Sequence, residues 1–233
     1  MSTTDEQPGT ERIAIEFFFD PMCPWAYQTS VWIREVRDRM PLDITWRFFS
    51  LEEINREDGK KHPWERDWSY GWSQMRIGAL LRRSSQADLD AWYAALGQAF
   101  FIEGRTTHVP DVHRELLVEL GHDPALVDQA LADPTTTDEV RADHDFVVSH
   151  HGGFGVPVIV LPGDHAVFGP VVVPAPTGDE AVRLWDLVAG WAEFPHLYEL
   201  THPKTRDDQA HIGAHFEPYL RARAWKTVSN PAP

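Results

Sequence analysis

The chain contains one cysteine, Cys23, within the run "DPMCPWAYQTS". A cysteine thiolate is the nucleophile of thiol–disulfide exchange, and a second cysteine at the fourth position of a Cys-Pro-Trp-x turn would complete a dithiol redox centre. Ala26 occupies that fourth position here. Cys23 therefore cannot close an internal disulfide, and a thiol from another molecule must resolve any mixed disulfide that forms on it.

The elements on either side of Cys23 predict an activated thiol. The apolar run 12–20 ends at Asp20 and indicates a buried strand, while the residues after Pro24 have helical spacing. Cys23 would then lie at a helix N-terminus, where free N–H groups and the helix dipole favour a thiolate. We therefore expect the pKa of Cys23 to lie below that of a free thiol. The alternative is a buried and inert cysteine, which a turn position disfavours.

The elements that follow predict a βαβ unit and then a helical block. A second strand pattern at 42–51 comes directly after the helix, so the two strands should be parallel. Residues 60–150 show helical patterns throughout. Strand and helix signals then return as a hairpin and a last amphipathic helix, at 156–161, 165–169 and 178–194.

This element order predicts an α/β protein with a thioredoxin-like fold and an inserted all-helical domain. Without the helical block, the order β-α-β then β-β-α is that of the thioredoxin fold. We assign the thioredoxin-like domain to residues 12–58 and 152–200 and the inserted helical domain to 59–151. Residues 1–11 and 201–233 are polar and are predicted to be tails, the second of which wraps the surface.

The Cys23 turn is the first marker of a site, and the run "GVPVIV", in which Pro157 begins the third strand, is the second. Only about 5–6% of bonds that precede proline are cis, yet the thioredoxin-like order around this one favours the cis form. The backbone of Val156 would then be available to pair with an extended thiol ligand.

Five segments of the chain carry a family resemblance: "FFFDPMCPWAYQTSVWIREV", "FFSLEEIN", "GVPVIVLPGDHAVFGPVV", "GDEAVRLWDLV" and "FPHLYEL". Together they resemble the actinobacterial DsbA-like proteins that include the mycothiol-dependent nitroreductases. The resemblance covers residues 13 to 200, with the helical block similar mainly in pattern. It implies a catalytic Cys23, a cis Pro157, mycothiol as a low-molecular-weight thiol cofactor, and a substrate pocket lined by Trp25 and Asn55.

The Cys23 turn, the Val156-Pro157 run and the family resemblance together give the candidate residues of the site. Cys23 is the predicted catalytic residue, and the predicted thiol- or substrate-binding residues are Pro24, Trp25, Ala26, Asn55, Val156 and Pro157.

Ala26 departs from the family pattern, because reductase members usually carry a second cysteine there. A related branch, the kappa-class glutathione transferases and 2-hydroxychromene-2-carboxylate isomerases, has serine at both ends of this turn and holds a bound thiol cofactor. This chain lies between the two patterns, with one thiol at Cys23 and a fourth residue that carries none.

Three functions stay open at this point. In the leading hypothesis, a monothiol oxidoreductase, Cys23 attacks a disulfide or electrophilic substrate, and mycothiol or a glutaredoxin-like reductase releases the adduct. In the second, a transferase or isomerase, Cys23 donates a hydrogen bond to the thiolate of a bound cofactor. In the third, the cleft binds a peptide or a small hydrophobic molecule without catalysis.

Composition excludes several classes of partner. A net charge of −15 and a pI near 5.1 argue against binding to nucleic acid or to an anionic membrane. The start "MSTTDEQPGTER" is not a secretory signal, and no apolar run is long enough to span a bilayer. Together with the single cysteine, these features predict a cytoplasmic protein. No glycine-rich nucleotide motif occurs, so we expect no nucleotide cofactor.

Two further patterns have structural interpretations. We expect no metal among the twelve histidines, because adjacent His150 and His151 should point apart on a helix. Trp64, Trp68 and Trp72 would form one aromatic stripe if their segment were helical. We interpret the stripe as packing between helices rather than as a substrate wall.

Overall fold

A four-stranded sheet organises residues 12–222, the part of the chain that the computed structural model describes. The predicted tail at 1–11 and the end of the second one, 223–233, lie outside these residues. The spatial order of the strands is β2-β1-β3-β4. Their bounds are Ile13–Phe19 for β1, Leu42–Phe48 for β2, Val158–Leu161 for β3 and His165–Phe168 for β4.

Strand pairing follows the prediction. β1 and β2 are parallel, in a register that places Ile13 opposite Leu42 and Phe19 opposite Phe48. β3 is antiparallel to β1, and β3 and β4 form the expected antiparallel hairpin. The end of β1 is buried on both faces because β1 is a central strand between helical layers, which is why its sequence is a nearly continuous apolar run.

Ten α-helices occur within residues 12–222, and none of them combines the length and apolar character needed to span a bilayer. Short 3₁₀ helices cover Pro63–Glu65 and Trp191–Glu193, and a π-helical turn at Gln98–Ile102 extends the fourth α-helix. The α-helices are α1 Pro24–Arg37, α2 Leu51–Ile54, α3 Tyr70–Ser84, α4 Gln86–Gly97, α5 Pro110–Glu119, α6 Leu126–Ala132, α7 Pro134–His151, α8 Gly178–Gly190, α9 Arg206–His215 and α10 Glu217–Ala222.

The helical block α3–α7 packs directly on the sheet. The ring of Tyr93 stacks on Phe19 with 3.8 Å between centroids, and α3 and α4 close around the buried ring of Phe48. Buried residues of the block and of the sheet belong to one continuous hydrophobic cluster. The block therefore shares the core of the sheet, and the division into two domains stays a prediction.

The prediction of a tail after residue 200 is wrong for residues 206–222, which form α9 and α10. Phe216 and Tyr219 are buried against the aromatic rings of Phe100 and Phe101. The segment is mostly polar, but partly buried Ile212 and buried Phe216 and Tyr219 recur at helical spacing and form the face that packs on the protein.

Candidate active site

Cys23 lies where β1 ends and α1 begins, as its sequence context predicts. It is the N-cap residue of α1, and Pro24 occupies the first helical position. Its Sγ accepts a hydrogen bond from the backbone N–H of Ala26 at 3.4 Å. The backbone N–H of Cys23 donates to the carbonyl of Asp20 at 3.0 Å, which closes the turn between strand and helix. The N-terminus of α1 thus holds the sulfur directly.

The bond between Val156 and Pro157 lies beside Cys23 in the structure. The Sγ of Cys23 donates to the carbonyl oxygen of Val156, 3.7 Å away, and the bond between Val156 and Pro157 is cis, as predicted. Cys23 is only 7% exposed and belongs to a buried apolar cluster. The other buried members of this cluster are Phe18, Ala26, Phe49, Val147, Val156, Val158 and Val160.

This burial overturns the prediction of an activated thiolate. Burial raises the pKa of the Cys23 thiol to about 11, because the charged form loses its hydration. The N–H of Ala26 lowers that pKa, Asp20 raises it further, and the N–H of Trp25 lowers it again. The helix N-terminus thus acts in the expected direction, but desolvation outweighs it. The resting site holds a neutral thiol at pH 7.

Trp25 and Asn55, the residues implied to line a substrate pocket, differ in their placement. Trp25 is half-buried and packs against the cluster around Cys23 on one side. On its other side, its ring meets Phe216 of the C-terminal segment edge-on, with 5.1 Å between centroids. Asn55 is exposed at the end of α2, where its side-chain amide donates to the carbonyl of Leu51 at 2.9 Å. Asn55 therefore lies at the rim of the site, and both roles stay predictions.

Asp20 is a site residue that motif reasoning missed. Its carboxylate is fully buried and accepts hydrogen bonds from the N–H of Met22 at 2.8 Å and from the N–H of Leu51 at 2.7 Å. Burial raises the pKa of Asp20 to about 7, the two N–H groups lower it, and Glu52 raises it. An acid directly after the apolar run Phe17–Phe19 is the sequence signal that could have identified it.

Gly71 lets α3 approach this buried acid. A Cβ at position 71 would lie 2.8 Å from the Oδ1 atom of Asp20, closer than van der Waals contact allows. Since Asp20 is held by two backbone donors, it has little room to move away. The close packing of α3 on the turn around Cys23 therefore requires a residue without a side chain at position 71.

We expect Gly71→Ala to destabilise the protein by about 1–3 kcal/mol, as overpacking of a buried contact does. Urea unfolding would measure the change in the free energy of unfolding. Gly190→Ala is the matched control, because Gly190 has helical backbone angles and no atom within 4 Å of the added Cβ. Equal stability of the two variants would contradict the contact with Asp20.

Residues 64–72 are not one helix, so the condition for a helical tryptophan stripe is not met, although the rings of Trp64 and Trp72 are in contact with 5.1 Å between centroids. Trp64 lies in a 3₁₀ helix and stacks on His62 with 4.3 Å between centroids, while Trp72 lies in α3. The indole N–H of Trp68 donates to the carbonyl of His108 at 2.8 Å. All three tryptophans pack in or against the main hydrophobic cluster, in line with the packing interpretation.

The expectation that adjacent histidines point apart is also wrong. The rings of His150 and His151, at the end of α7, have centroids 4.7 Å apart, and both contact Asp164 in the β3–β4 turn. The hairpin packs beside the last turn of α7, so one carboxylate reaches both rings.

Comparisons of the sequence identify a family and a close relative. The model of the family described as Rv2466c-like, "Mycothiol-dependent nitroreductase Rv2466c", matches residues 22–202. Over 215 residues, the chain is 54% identical to "Uncharacterized protein Rv2286c" of Mycobacterium tuberculosis (strain ATCC 25618 / H37Rv), covering 92% of this chain and 93% of that protein. The family match includes both markers of the site and ends before α9.

Comparisons of the structure confirm the predicted thioredoxin-like fold. The crystal structure of a "probable DsbA oxidoreductase SCO1869" from Streptomyces coelicolor aligns with a TM-score of 0.58 and 21% identity, covering 83% of this chain and 94% of that one. A 2-hydroxychromene-2-carboxylate isomerase aligns with a TM-score of 0.58 and 17% identity, covering 77% and 95%. At these identities the likeness concerns the fold alone.

Proposed function

The chain belongs to the Rv2466c-like family of mycothiol-dependent nitroreductases, and from that premise we propose that it is a thiol-dependent oxidoreductase of the monothiol type. Mycothiol is the proposed thiol partner and Cys23 the proposed catalytic residue. The observation that carries the proposal is the sulfur of Cys23 at the N-cap of α1, 3.7 Å from the carbonyl of Val156, with Ala26 in place of a second thiol.

The proposed chemistry has two exchange steps. The sulfur of Cys23 attacks one sulfur of a disulfide, the disulfide bond breaks, and the leaving thiolate takes up the proton that Cys23 releases. The products are a mixed disulfide on Cys23 and one free thiol. The thiol of mycothiol then attacks the mixed disulfide, forms a new disulfide with the bound group, and returns the proton to Cys23. An electrophilic substrate would instead take up both the sulfur and the proton of Cys23 by addition, with no leaving group.

A buried neutral thiol has a consequence for the first step. Because only the thiolate attacks, the proton on Cys23 must leave when the substrate arrives. An incoming disulfide that pairs with the backbone of Val156 would compete for the carbonyl that holds this proton in the resting site. We therefore expect activation to accompany substrate binding rather than to precede it. A role for a glutaredoxin-like reductase and a cytoplasmic location remain predictions.

The test is the intact mass of the protein after exposure to oxidised mycothiol, the symmetrical disulfide. We expect one added mycothiol per chain and its removal by reduced mycothiol, because one cysteine can form one mixed disulfide. Cys23→Ser is the control and should gain no mass. An unchanged mass of the folded wild-type protein after prolonged exposure would contradict the proposal.

A transferase or isomerase that holds a thiol cofactor is the second candidate, and the protonation of Cys23 is what favours it. Burial raises the pKa of Cys23 to about 11, so the sulfur can serve as a hydrogen-bond donor at neutral pH. A serine hydroxyl can make the same donation. If Cys23→Ser keeps a large part of any mycothiol-dependent activity, the second candidate is correct, whereas a complete loss supports nucleophilic attack by Cys23.

A further inference from the structure

Three side chains converge outside the site around Cys23. His150 and His151 end α7, and Asp164 lies in the turn between β3 and β4. One ligand atom from each residue lies within 4.8 Å of the other two. The Nε2 of His150 is 2.9 Å from Oδ2 of Asp164, and the Nε2 of His151 is 3.5 Å from Oδ1.

Within this cluster, the Nε2 atom of His151 is the buried polar atom that no hydrogen bond within residues 12–222 satisfies. The side chain of His151 is 5% exposed, and its buried Nε2 has no hydrogen-bond partner among the described residues. A separation of 3.5 Å from Asp164 exceeds the normal length of an N–H···O bond. A buried polar atom without a partner is destabilising and calls for a specific cause.

An ordinary surface ion pair explains only half of the cluster. His150 and Asp164 are both exposed and form a normal hydrogen bond at 2.9 Å. That hydrogen bond leaves the Nε2 of His151 without a partner in the described part of the chain, although this atom faces the second oxygen of the same carboxylate. A cation between the two rings and the carboxylate would satisfy all three residues at once.

We propose that His150, His151 and Asp164 bind one divalent transition-metal ion, with Zn²⁺ as the representative. Imidazole nitrogen together with carboxylate oxygen suits Zn²⁺ and its neighbours better than Mg²⁺ or Ca²⁺, which prefer oxygen ligands. Ligands of a tetrahedral Zn²⁺ lie about 3.4 Å from one another, given bonds of about 2.0–2.2 Å. The two nitrogen–oxygen separations, 2.9 and 3.5 Å, are close to that value.

The charges around the cluster also favour a cation. Glu16 of β1 lies near His151, and Asp164 supplies the negative charge of the site itself. Arg47 of β2 is the nearby opposing cation, but it forms ion pairs with Glu16 at 2.9 Å and with Asp143 at 2.9 Å. Three protein ligands leave a fourth position for water, which the exposed His150 and Asp164 would admit.

A bound ion would join the last turn of α7 to the β3–β4 hairpin. Val147 of α7 and Val158 of β3 both belong to the cluster around Cys23, so the ion would stabilise two elements that border the candidate active site. This role is structural and does not depend on the function proposed for Cys23.

The test is a calorimetric titration of the full chain, without an affinity tag, with zinc sulfate. We expect one Zn²⁺ per chain, and a rise of the melting temperature on zinc addition. Asp164→Asn and His150→Gln should each weaken zinc binding by at least about tenfold, since each removes a ligand. His196→Ala is the matched control, because it removes an exposed histidine outside the cluster and should leave the affinity unchanged.

Cys23→Ser separates this site from zinc binding by the thiol. We expect that variant to bind zinc as tightly as the wild type. Zinc affinity that survives in both Asp164→Asn and His150→Gln would overturn the proposal. So would affinity that is lost in Cys23→Ser and kept in Asp164→Asn.

Discussion

Ala26→Cys will release its mixed disulfide without an external thiol. The new thiol would lie on the same helical turn as Cys23, whose sulfur is already 3.4 Å from the backbone nitrogen of residue 26. Attack by a neighbouring thiol within one turn benefits from effective molarities that reach about 10⁵ M or more in well-oriented systems. At millimolar mycothiol, we therefore expect the mixed disulfide to disappear at least about a thousandfold faster than in the wild type.

Intact mass after a short exposure to oxidised mycothiol measures this result. The wild type should accumulate the adduct, whereas Ala26→Cys should instead lose the mass of two hydrogens as an internal disulfide forms. Ala26→Ser is the matched control, because it adds one heavy atom at the same fully buried position but no thiol. An adduct that persists equally long in Ala26→Cys and in the wild type would show that residue 26 does not face the reacting sulfur.

Asp20→Asn will remove a pH dependence from the stability of the fold. Burial raises the pKa of Asp20 from 3.8 to about 7, so the folded state retains a proton that the unfolded chain releases. Above pH 4 the folded state binds more protons than the unfolded state, and the stability must fall as the pH rises toward 7. The loss amounts to roughly 4 kcal/mol once the carboxyl is ionised in both states.

The asparagine variant lacks this titration but has a cost at every pH. The carboxylate accepts from Met22 and Leu51, and an amide oxygen can serve only one of these donors, at a cost of about 1–3 kcal/mol. Relative to the wild type, Asp20→Asn should therefore be weakest near pH 4 and should gain steadily toward pH 7. Urea unfolding across this range measures the difference, with the exposed Asp43→Asn as the matched control.

Alkylation of Cys23 gives a second readout of the same change. The charge of Asp20 contributes to the raised pKa of Cys23, so alkylation should set in at lower pH in Asp20→Asn. A difference in stability that does not vary between pH 4 and 7 would contradict the buried ionisation of Asp20. An unchanged alkylation profile would contradict its coupling to the sulfur.

Much of the fold could be predicted because its signals are local. The apolar run of β1 and the alternating pattern of β2 depend on a few consecutive residues, and their parallel pairing follows from the helix between them. The turn of Cys23 follows from a short motif, whereas the cis bond before Pro157 follows from the thioredoxin-like order of the elements around it. The sequence does not reveal α9 and α10, because partly buried Ile212 and buried Phe216 and Tyr219 stand among many polar residues.

The electrostatic character of the site could not be predicted in this way. The pKa of Cys23 depends on how completely Phe49, Val147 and Val156 exclude water, and these residues come from three distant parts of the chain. Asp20 likewise becomes a buried acid only because α2 and α3 close over the end of β1. The meeting of His150 and His151 at Asp164 depends on where the hairpin packs beside α7.

The sequence alone determined the order of the four strands and the chemistry open to the site. A single cysteine with Ala26 at the fourth position limits the chain to one-thiol steps, because covalent composition does not change on folding. Only the tertiary structure decided that this thiol is neutral at rest, that Asp20 is its buried neighbour, and that two adjacent histidines share one carboxylate. The desolvation of Cys23 and the contact of two histidines with Asp164 both depend on residues that are far apart in sequence. Only the folded chain brings these residues together.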